Sequence, residues 1–235
     1  MAQFKIIFVE PEYQVNIGHC ARVLANFGYG EMNIINPKIK LGNTAVMYSK
    51  HGKELLKKAR IYKSIKTATR DCDFVVGTSG VLKRGRRVIR NPLNLEQFLE
   101  KVCGSNRRFA VLFGREGTGL VSEEIEQCDL LLSIPASRRY PTLNLSHALA
   151  IVLYGLSTTK NYRLIKNSKR DEKEKLMETF GEITDYFGPH LRNPDKIKMA
   201  FRRVLGRSLV SDLEASALLC VMKKTSEGLK RKKKL

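Results

Sequence analysis

Four short segments of the chain combine glycine, small polar residues and arginine in patterns typical of ligand sites. The first, residues 11–22 (PEYQVNIGHCAR), places Asn16 six positions before Arg22. Asparagine favours the start of a helix, and Gly18 leaves room for a neighbouring element to approach closely. Arg22 follows about one and a half helical turns later and is a candidate site residue, with a surface or ion-pair arginine as the alternative.

The second segment, residues 76–90 (VGTSGVLKRGRRVIR), joins a small-residue turn to a run of cations. Thr78, Ser79 and Gly80 form the turn, and the segment contains no acidic residue. Like charges at this density repel one another unless they are solvated or meet phosphates. We expect either a solvated loop or a contact with RNA phosphates. The cations are Lys83, Arg84, Arg86, Arg87 and Arg90.

The third segment, residues 113–120 (FGREGTGL), has three glycines in the order GxxGxG. This order matches neither the GxGxxG loop of dinucleotide-binding proteins nor a P-loop, which needs GK[ST]. Glu116 would also repel a pyrophosphate. We expect a pocket lined by backbone groups for a cationic or neutral ligand, with a plain tight turn as the alternative. Ser122, Glu123 and Glu124 then favour the start of a helix.

The fourth segment, residues 134–156, has a polar loop followed by an apolar helical pattern. Asn144 and Ser146 are both residues that favour helix starts. The basic and aromatic side chains before them are candidates for RNA binding. These side chains are Arg138, Arg139 and Tyr140.

The sequence shows no pattern for a metal ion or a disulfide framework. Its four histidines lack HExxH and HxH spacing, and its five cysteines form no CxxC pair. We therefore expect no metal and a reducing cytoplasm as the location. No apolar run approaches the roughly 20 residues that a membrane span needs, and the first ten residues lack a signal-peptide pattern.

These candidate residues follow short apolar runs, which are the elements that must position them. The runs are continuous rather than alternating, which is typical of strands buried on both faces. Helical patterns between them favour an α/β fold with a mostly parallel sheet flanked by helices. Ligands of such sheets bind beyond the carboxyl ends of the strands. The predicted strands are residues 4–9, 32–35, 74–77, 109–113 and 130–134, and the predicted helices are residues 17–27, 53–61, 95–102, 123–128 and 145–156.

The composition changes near residue 160. We expect a first domain over residues 1–160, a polar linker over 161–175 and a basic helical extension over 176–235. The extension shows helical spacing at 176–187, 195–205 and 212–225, and we expect residues 230–234 to form a disordered tail. Asn193 and Pro194 suit the cap and first turn of the second of these helices.

Charge gives the first indication of a partner. The chain of 235 residues has a net charge of +20, of which +9 lies in residues 161–235. Such an excess favours a polyanion, because each phosphate contact releases counterions. The alternative is a solvated, lysine-rich surface.

Taken together, the four segments resemble the three motifs of the SPOUT methyltransferases, in particular the SpoU-type tRNA ribose 2′-O-methyltransferases. NIGHCAR (residues 16–22) resembles motif one, LFGREGTGL (112–120) motif two and IPASRRYPTLNLSHALAI (134–151) motif three. The motifs follow the family's order over residues 4–156. The stretch 201–225 further resembles the branch that methylates nucleotide 32 in the tRNA anticodon loop.

The resemblance implies a C-terminal trefoil knot in the first domain, S-adenosylmethionine as the cofactor, and an obligate homodimer that acts on tRNA. It also implies a reacting centre at Arg22, with Arg115, Asn144 and Ser146 around it. Since free arginine has a pKa above about 12, we expect Arg22 to stabilise charge and hold phosphate rather than to act as the base. The proton would then leave through phosphate, Ser146 or water. The cofactor residues implied are Thr78, Ser79, Gly80, Gly114, Ile134, Thr142, Leu143 and Asn144.

Two other functions remain open from the sequence. One is ribosomal RNA methylation by an enzyme of the same fold. The other is a non-catalytic RNA-binding α/β protein that uses the same basic surface. The occurrence of GREG and LNLS together favours the enzyme.

Overall fold

In the computed structural model of the chain, the described residues are 2–80, 92–137, 139–158, 170–208 and 210–232. They contain one parallel sheet with strand order β3-β2-β1-β6-β4-β7-β5. No helix in this part of the chain is both long enough and apolar enough to cross a membrane. The strands are β1 Gln3–Val9, β2 Asn33–Ile35, β3 Arg60–Tyr62, β4 Phe74–Thr78, β5 Leu93–Asn94, β6 Arg108–Phe113 and β7 Leu130–Ser133.

Helices cover both faces of the sheet, which explains the continuous apolar runs. In β1, Ile6 and Phe8 pack on one face, whereas Ile7 and Val9 pack on the other. The first face holds α1, α3, α5 and α7, and the second holds α4 and α6. The helices of this region are α1 Gln14–Asn26, α2 Asn43–Ser49, α3 Lys53–Lys57, α4 Ile65–Ala68, α5 Leu95–Val102, α6 Ser122–Glu126 and α7 Leu145–Thr158.

The predicted parallel α/β architecture is confirmed, with corrections to individual elements. The helix predicted over residues 53–61 is wrong beyond Lys57, because residues 60–62 form the edge strand β3. Asn16 does not cap α1, which begins at Gln14, two residues earlier. Gly28 does end that helix, with φ at +73°.

Strand register brings the candidate segments to one edge of the sheet. Phe8 of β1 pairs with Phe113 of β6, and Thr78 of β4 pairs with Leu132 of β7. The carboxyl ends of these four strands therefore lie side by side, and all four candidate segments begin there. This is the edge at which open parallel sheets bind ligands.

Three further helices follow: α8 Arg170–Tyr186, α9 Pro194–Ser208 and α10 Asp212–Lys232. We call this part the extension. Helix α8 begins inside the predicted linker, and α10 runs through residues 230–232, where the sequence predicts a disordered tail. Lys230 pairs with Glu182 of α8 at 2.8 Å, which ties this end of α10 to its neighbour.

The extension has a small apolar core of its own, formed by Leu176, Leu205, Val210 and Ala215. It also docks on the sheet at the edge opposite the candidate segments. Its Lys173 pairs at 2.8 Å with Asp129, the residue immediately before β7. Other contacts on this edge are Arg203 with the carbonyl oxygen of Ile125 at 2.6 Å and Asp212 with Arg107 at 3.0 Å.

Candidate active site

A cavity of about 540 Å³ lies between the loops that follow β4, β6 and β7. The volume falls in the usual range for small-molecule sites, about 300–1,000 Å³. Each loop contributes residues that the resemblance implies for the cofactor. Of the implied residues, Asn144 does not line the cavity. The implied residues that line the cavity are Thr78, Ser79, Gly80, Gly114, Ile134, Thr142 and Leu143.

Local hydrogen bonds fix the loops after β4 and β7. The Thr78 hydroxyl donates to the carbonyl oxygen of Leu112 at 2.9 Å, and the Ser79 backbone N–H donates to that of Leu132 at 2.9 Å. A Cβ atom on Gly80 would lie 3.3 Å from the Pro141 carbonyl oxygen, so glycine lets the two loops touch. These contacts close one side of the cavity.

The loop after β6 is a tight turn that depends on glycine. Arg115 and Gly119 exchange backbone hydrogen bonds of 3.2 and 2.9 Å. Gly119 has φ at +69°, a conformation that favours glycine. A Cβ atom on Gly114 would overlap the backbone of Gly119. The glycines of GREGTG thus shape the cavity wall.

The Arg115 guanidinium binds carboxylates of the protein itself. It pairs with Glu10 and with Glu124, each at 2.9 Å, and donates to the Gly119 carbonyl oxygen at 3.2 Å. The pair with Glu124 raises the pKa of Arg115 further above its usual value. Hydrogen bonds from Lys38 and Arg115 lower the pKa of Glu10. With these partners Arg115 holds the loop in place, and it also lines the cavity, so its implied place around the reacting centre stays a prediction.

Glu116 of the same turn joins motif two to the start of α1. One carboxylate oxygen accepts from the Glu12 backbone N–H at 2.9 Å, and the other from the Tyr13 N–H at 3.3 Å and the Asn16 side-chain amide at 3.0 Å. Glu116 therefore satisfies backbone donors at this helix start and complements its dipole. No local sequence pattern indicates this role of Glu116, because its partners lie about a hundred residues away in the chain.

Asn16 and Asn144 meet at the edge of the cavity. The Asn144 amide nitrogen donates to the Asn16 side-chain oxygen at 2.9 Å. The Asn144 oxygen accepts from the backbone N–H of Ser146 at 2.9 Å and from its hydroxyl at 2.8 Å. Asn144 thus caps α7, as predicted. The Ser146 hydroxyl is almost buried, at 5% exposure, and its proton is already donated to Asn144.

Arg22 lies on an exposed turn of the helix that carries Asn16. Within the described residues its guanidinium makes no hydrogen bond or ion pair. Of the two alternatives named from the sequence, a surface arginine agrees with this exposure, whereas an ion pair is not seen in this part of the chain. Arg22 is a charged group available to an external anion.

The predicted RNA-binding residues fall into two groups. Arg139 is exposed, and Tyr140 is 76% exposed, on the loop that leads into the cavity-lining residues 141–143. The remaining predicted residues of this set, Lys83, Arg84, Arg86, Arg87 and Arg138, lie outside the described residues.

The charges around the cavity suit a cationic or neutral ligand. Glu116 and Glu123 line it, and the charge of Arg115 is offset by its two carboxylate partners. Leu120, Ile134 and Ala148 supply apolar surface.

The thiol of Cys20, within the first candidate segment, is buried. Cys20 is fully buried on α1, and burial raises its thiol pKa well above the usual value, with the charge of Glu116 adding to the effect. Among the described residues, no group of three His, Cys, Asp or Glu side chains is arranged to hold a metal ion.

Comparison with known proteins agrees with this geometry. Residues 3–154 match the model of the SpoU rRNA methylase family. A tRNA (cytidine-2′-O-)-methyltransferase TrmJ of Methanocaldococcus jannaschii is 36% identical, over 93% of this chain and 97% of the relative. The enzyme of the same name from Sulfolobus acidocaldarius is 33% identical, over 97% and 95%. The crystal structure of TrmJ from Z. mobilis ZM4 superposes with a TM-score of 0.70 at 25% identity, covering 94% of this chain and 97% of that one.

Proposed function

Because the chain belongs to the SpoU rRNA methylase family, we propose that it methylates a ribose 2′-hydroxyl of tRNA with S-adenosylmethionine as the donor. The observation that carries the proposal is the meeting of Asn16, Glu116 and Asn144, one from each motif, beside a cavity of suitable size. The tRNA substrate comes from the relatives named above, which align over nearly their whole length.

The cavity residues that would hold the donor come from all three loops. Thr78, Ser79 and Gly80 form one wall, Gly114 a second, and Ile134, Thr142 and Leu143 a third, with Asn144 at the edge. The bound donor supplies an electrophilic methyl group on a sulfonium. The protein's part is to align that methyl group with the ribose oxygen and to exclude water from it.

Arg22 is the residue that we expect to meet the RNA. Its guanidinium is exposed and unpaired among the described residues, so it is free to hold a phosphate and to stabilise charge that develops on the 2′-oxygen. An arginine is a poor base. The proton is therefore expected to leave through phosphate or water.

Asn144 and Ser146 act by positioning in this proposal. Ser146 donates its hydroxyl proton to Asn144, and Asn144 in turn donates to Asn16. The side-chain amides of the two asparagines thus hold each other at the edge where donor and ribose would meet. This geometry favours a positioning role for Ser146 over the proton-accepting role considered from the sequence.

We extend the proposal to nucleotide 32 of the anticodon loop, which rests on the resemblance of residues 201–225 to that branch. The proposal also includes a homodimer and a trefoil knot formed by the β4–α7 region. A cytoplasmic location would suit a tRNA substrate. Exposed apolar side chains on α1 and α7 support the dimer. Contact between the loops after β4 and β7 is compatible with the knot.

The test uses purified protein, methyl-labelled S-adenosylmethionine and tRNA transcripts. We expect label in the tRNA and resistance of one phosphodiester to alkaline hydrolysis, since a 2′-O-methyl group removes the attacking oxygen. Transcripts with a deoxynucleotide at position 32 or at position 34 locate the site. Label that persists with the position-32 substitution would contradict the nucleotide assignment.

Two other outcomes decide the alternatives. Transfer to ribosomal RNA fragments and not to tRNA would show a ribosomal substrate. Binding of RNA without any binding of the donor in calorimetry would show a non-catalytic RNA-binding protein. Either result would overturn the proposal.

A further inference from the structure

Lys50 has a backbone conformation that is unusual for lysine. Its φ is +48° and its ψ is −115°, in the half of conformational space that favours glycine. The residue directly follows α2 and opens a short turn over residues 50–52. Strained residues persist only where their surroundings hold them, and they concentrate at functional sites.

The turn is held against α1 beside Arg22. Ser49 is fully buried, and its hydroxyl donates to the Val46 carbonyl oxygen at 2.7 Å. A Cβ atom on Gly52 would overlap the Ala21 carbonyl group and would lie 2.8 Å from the Arg22 backbone nitrogen. The backbone of the turn therefore lies directly on the helix turn that carries Arg22.

This arrangement gathers three cations and a histidine at the surface, and the adjacent acid Glu54 pairs with Lys57 at 3.0 Å. The side chains of Arg22, Lys50, His51 and Lys53 are exposed, and none of them pairs with a carboxylate among the described residues. Between residues 13 and 53 the sole acid is Glu31. Its carboxylate pairs with Arg60 at 3.0 Å.

We propose that Lys50 and Lys53 form, together with Arg22, a binding site for the phosphates that adjoin the target ribose. We name these three residues the phosphate cluster. Asn16 and Arg22 are six residues apart on α1, which is about 9 Å along a helix axis. The cluster thus lies further along α1 than Asn16, where the turn that carries Lys50 packs on the backbone of Ala21 and Arg22.

The backbone strain at Lys50 indicates that the lysine side chain has a use at this position. Glycine would adopt the observed φ without cost, so the lysine side chain is held there against the local backbone preference. An exposed lysine without a partner contributes little to folding. The use therefore lies in its ammonium group. Together with Arg22 and Lys53, this group favours a partner with several negative charges.

The inference rests on the proposed function, because it takes RNA as the substrate. The test compares wild type with the double variant Lys50→Gly, Lys53→Ala. The control is Lys63→Ala, Lys66→Ala, which removes two exposed lysines at α4, on the opposite face of the sheet. Binding of tRNA is measured against salt concentration, alongside donor binding, kcat, KM and melting temperature.

We expect the double variant to raise KM for tRNA at least tenfold and to leave donor affinity unchanged. The slope of log K against log salt should fall by about 1–2, because each phosphate contact contributes about 0.7–0.9. The melting temperature should not fall, since glycine relieves the strain at position 50. The single variant Lys50→Arg, which keeps the positive charge, should bind tRNA nearly as tightly as the wild type.

A double variant that matches the control in KM and salt slope would overturn the phosphate cluster. A second set of results would also overturn it. In that case Lys50→Gly lowers both the tRNA affinity and the melting temperature, and Lys50→Arg binds tRNA no better than Lys50→Gly. Failure of the proposed function is seen separately, as absence of methyl transfer by the wild type. In that case the salt slope of direct RNA binding still decides whether the cluster contacts phosphate.

Discussion

The side-chain amides of Asn144 and Asn16 are joined by a hydrogen bond of 2.9 Å, although 128 positions separate them in the chain. Asn16 continues the connection to Glu116, whose carboxylate also accepts from the backbone N–H groups of Glu12 and Tyr13, just before α1. The helix that carries Arg22 is therefore anchored to two of the three loops that shape the cavity, those after β6 and β7.

We predict that Asn16→Ala lowers kcat at least tenfold, which corresponds to about 1.4 kcal/mol of transition-state stabilisation. The substitution removes the partner of both Asn144 and Glu116, so the two loops lose their common contact. Donor affinity, measured by calorimetry, should change less than kcat. Asn26→Ala at the exposed end of the same helix is the matched control, and equal effects of the two would contradict the prediction.

Arg22→Ala should reduce turnover by orders of magnitude and leave the affinity for the donor roughly unchanged. The protein should fold normally, because the Arg22 side chain is exposed and lies off the apolar stripe of α1. Single-turnover kinetics and a thermal melt measure the two effects. Wild-type turnover in this variant would remove Arg22 from the site.

The sequence predicted the central strands well, because both of their faces are buried and most of their residues are then apolar. It missed β3, an edge strand whose Arg60 and Ile61 are exposed, and the two-residue β5. Neither has the apolar run that identifies a buried strand. Short strands of this kind depend on pairing with a neighbour rather than on local composition.

Arg115→Ala should destabilise the protein by about 2–3 kcal/mol, since charged hydrogen bonds contribute about 1.5–3 kcal/mol each. The variant leaves Glu10 and Glu124 without their shared partner. Chemical denaturation measures the loss. Because Arg115 also lowers the pKa of Glu10, wild-type stability from this pair should be present above the usual glutamate pKa and be lost as the pH falls through the lowered value.

The matching control for that prediction is Lys57→Ala, which breaks an exposed pair with Glu54 and should cost much less stability, because exposed ion pairs contribute little. If Arg115→Ala were as stable as this control but inactive, Arg115 would act on the substrate rather than on the loop.

A C2 dimer is predicted from apolar surface on α1 and α7. Val15 at the start of α1 is 36% exposed, and on α7 Ile151 and Tyr154 are 37% and 65% exposed. Helices α1 and α7 pack on each other, so a single self-complementary surface could cover these side chains. Sedimentation at micromolar concentration should give twice the chain mass of 26.7 kDa.

Ile151→Glu, Tyr154→Glu should dissociate such a dimer and abolish activity, whereas Leu213→Glu, on the 85%-exposed side chain at the start of α10, should leave the mass unchanged. A fully active monomer of the wild type would exclude the dimer.

At the site, residue types were easier to predict than residue roles. The glycines and small polar residues that the resemblance implied for the cofactor line the cavity with one exception, Asn144, and their contact with the donor stays a prediction. Asn16 was expected to cap α1, but Tyr13 stands at the cap and Glu116 supplies the acceptor there. Such an exchange depends on an approach between distant loops, which no local pattern records.

The extension is expected to bind tRNA, but it also packs against the sheet, so its deletion affects both binding and stability. Its buried pair between Lys173 and Asp129 lies at the amino end of the strands, whereas the cavity lies at their carboxyl ends. Asp129 also accepts the Val75 backbone N–H at 2.8 Å. Deleting residues 161–235 should leave donor binding intact but lower the melting temperature, because it leaves Asp129 without its partner and uncovers Phe74, over which Lys173 sits.

A loss of tRNA affinity after that deletion could come from lost phosphate contacts or from the lower stability of the remaining domain. Substitutions that remove charge but leave the extension packed on the sheet separate these two effects. Lys223 and Lys224 are exposed on α10, and within the described residues neither makes an ion pair. We predict that Lys223→Ser, Lys224→Ser weakens tRNA binding and lowers its salt slope by about 1–2 at an unchanged melting temperature. Lys173→Met should show the converse, with a lower melting temperature and a nearly unchanged slope, because Lys173 is already paired within the protein. If the Lys223 and Lys224 substitutions left the slope unaltered, these two lysines would not contact RNA, and the α10 surface they occupy would have no part in gripping tRNA.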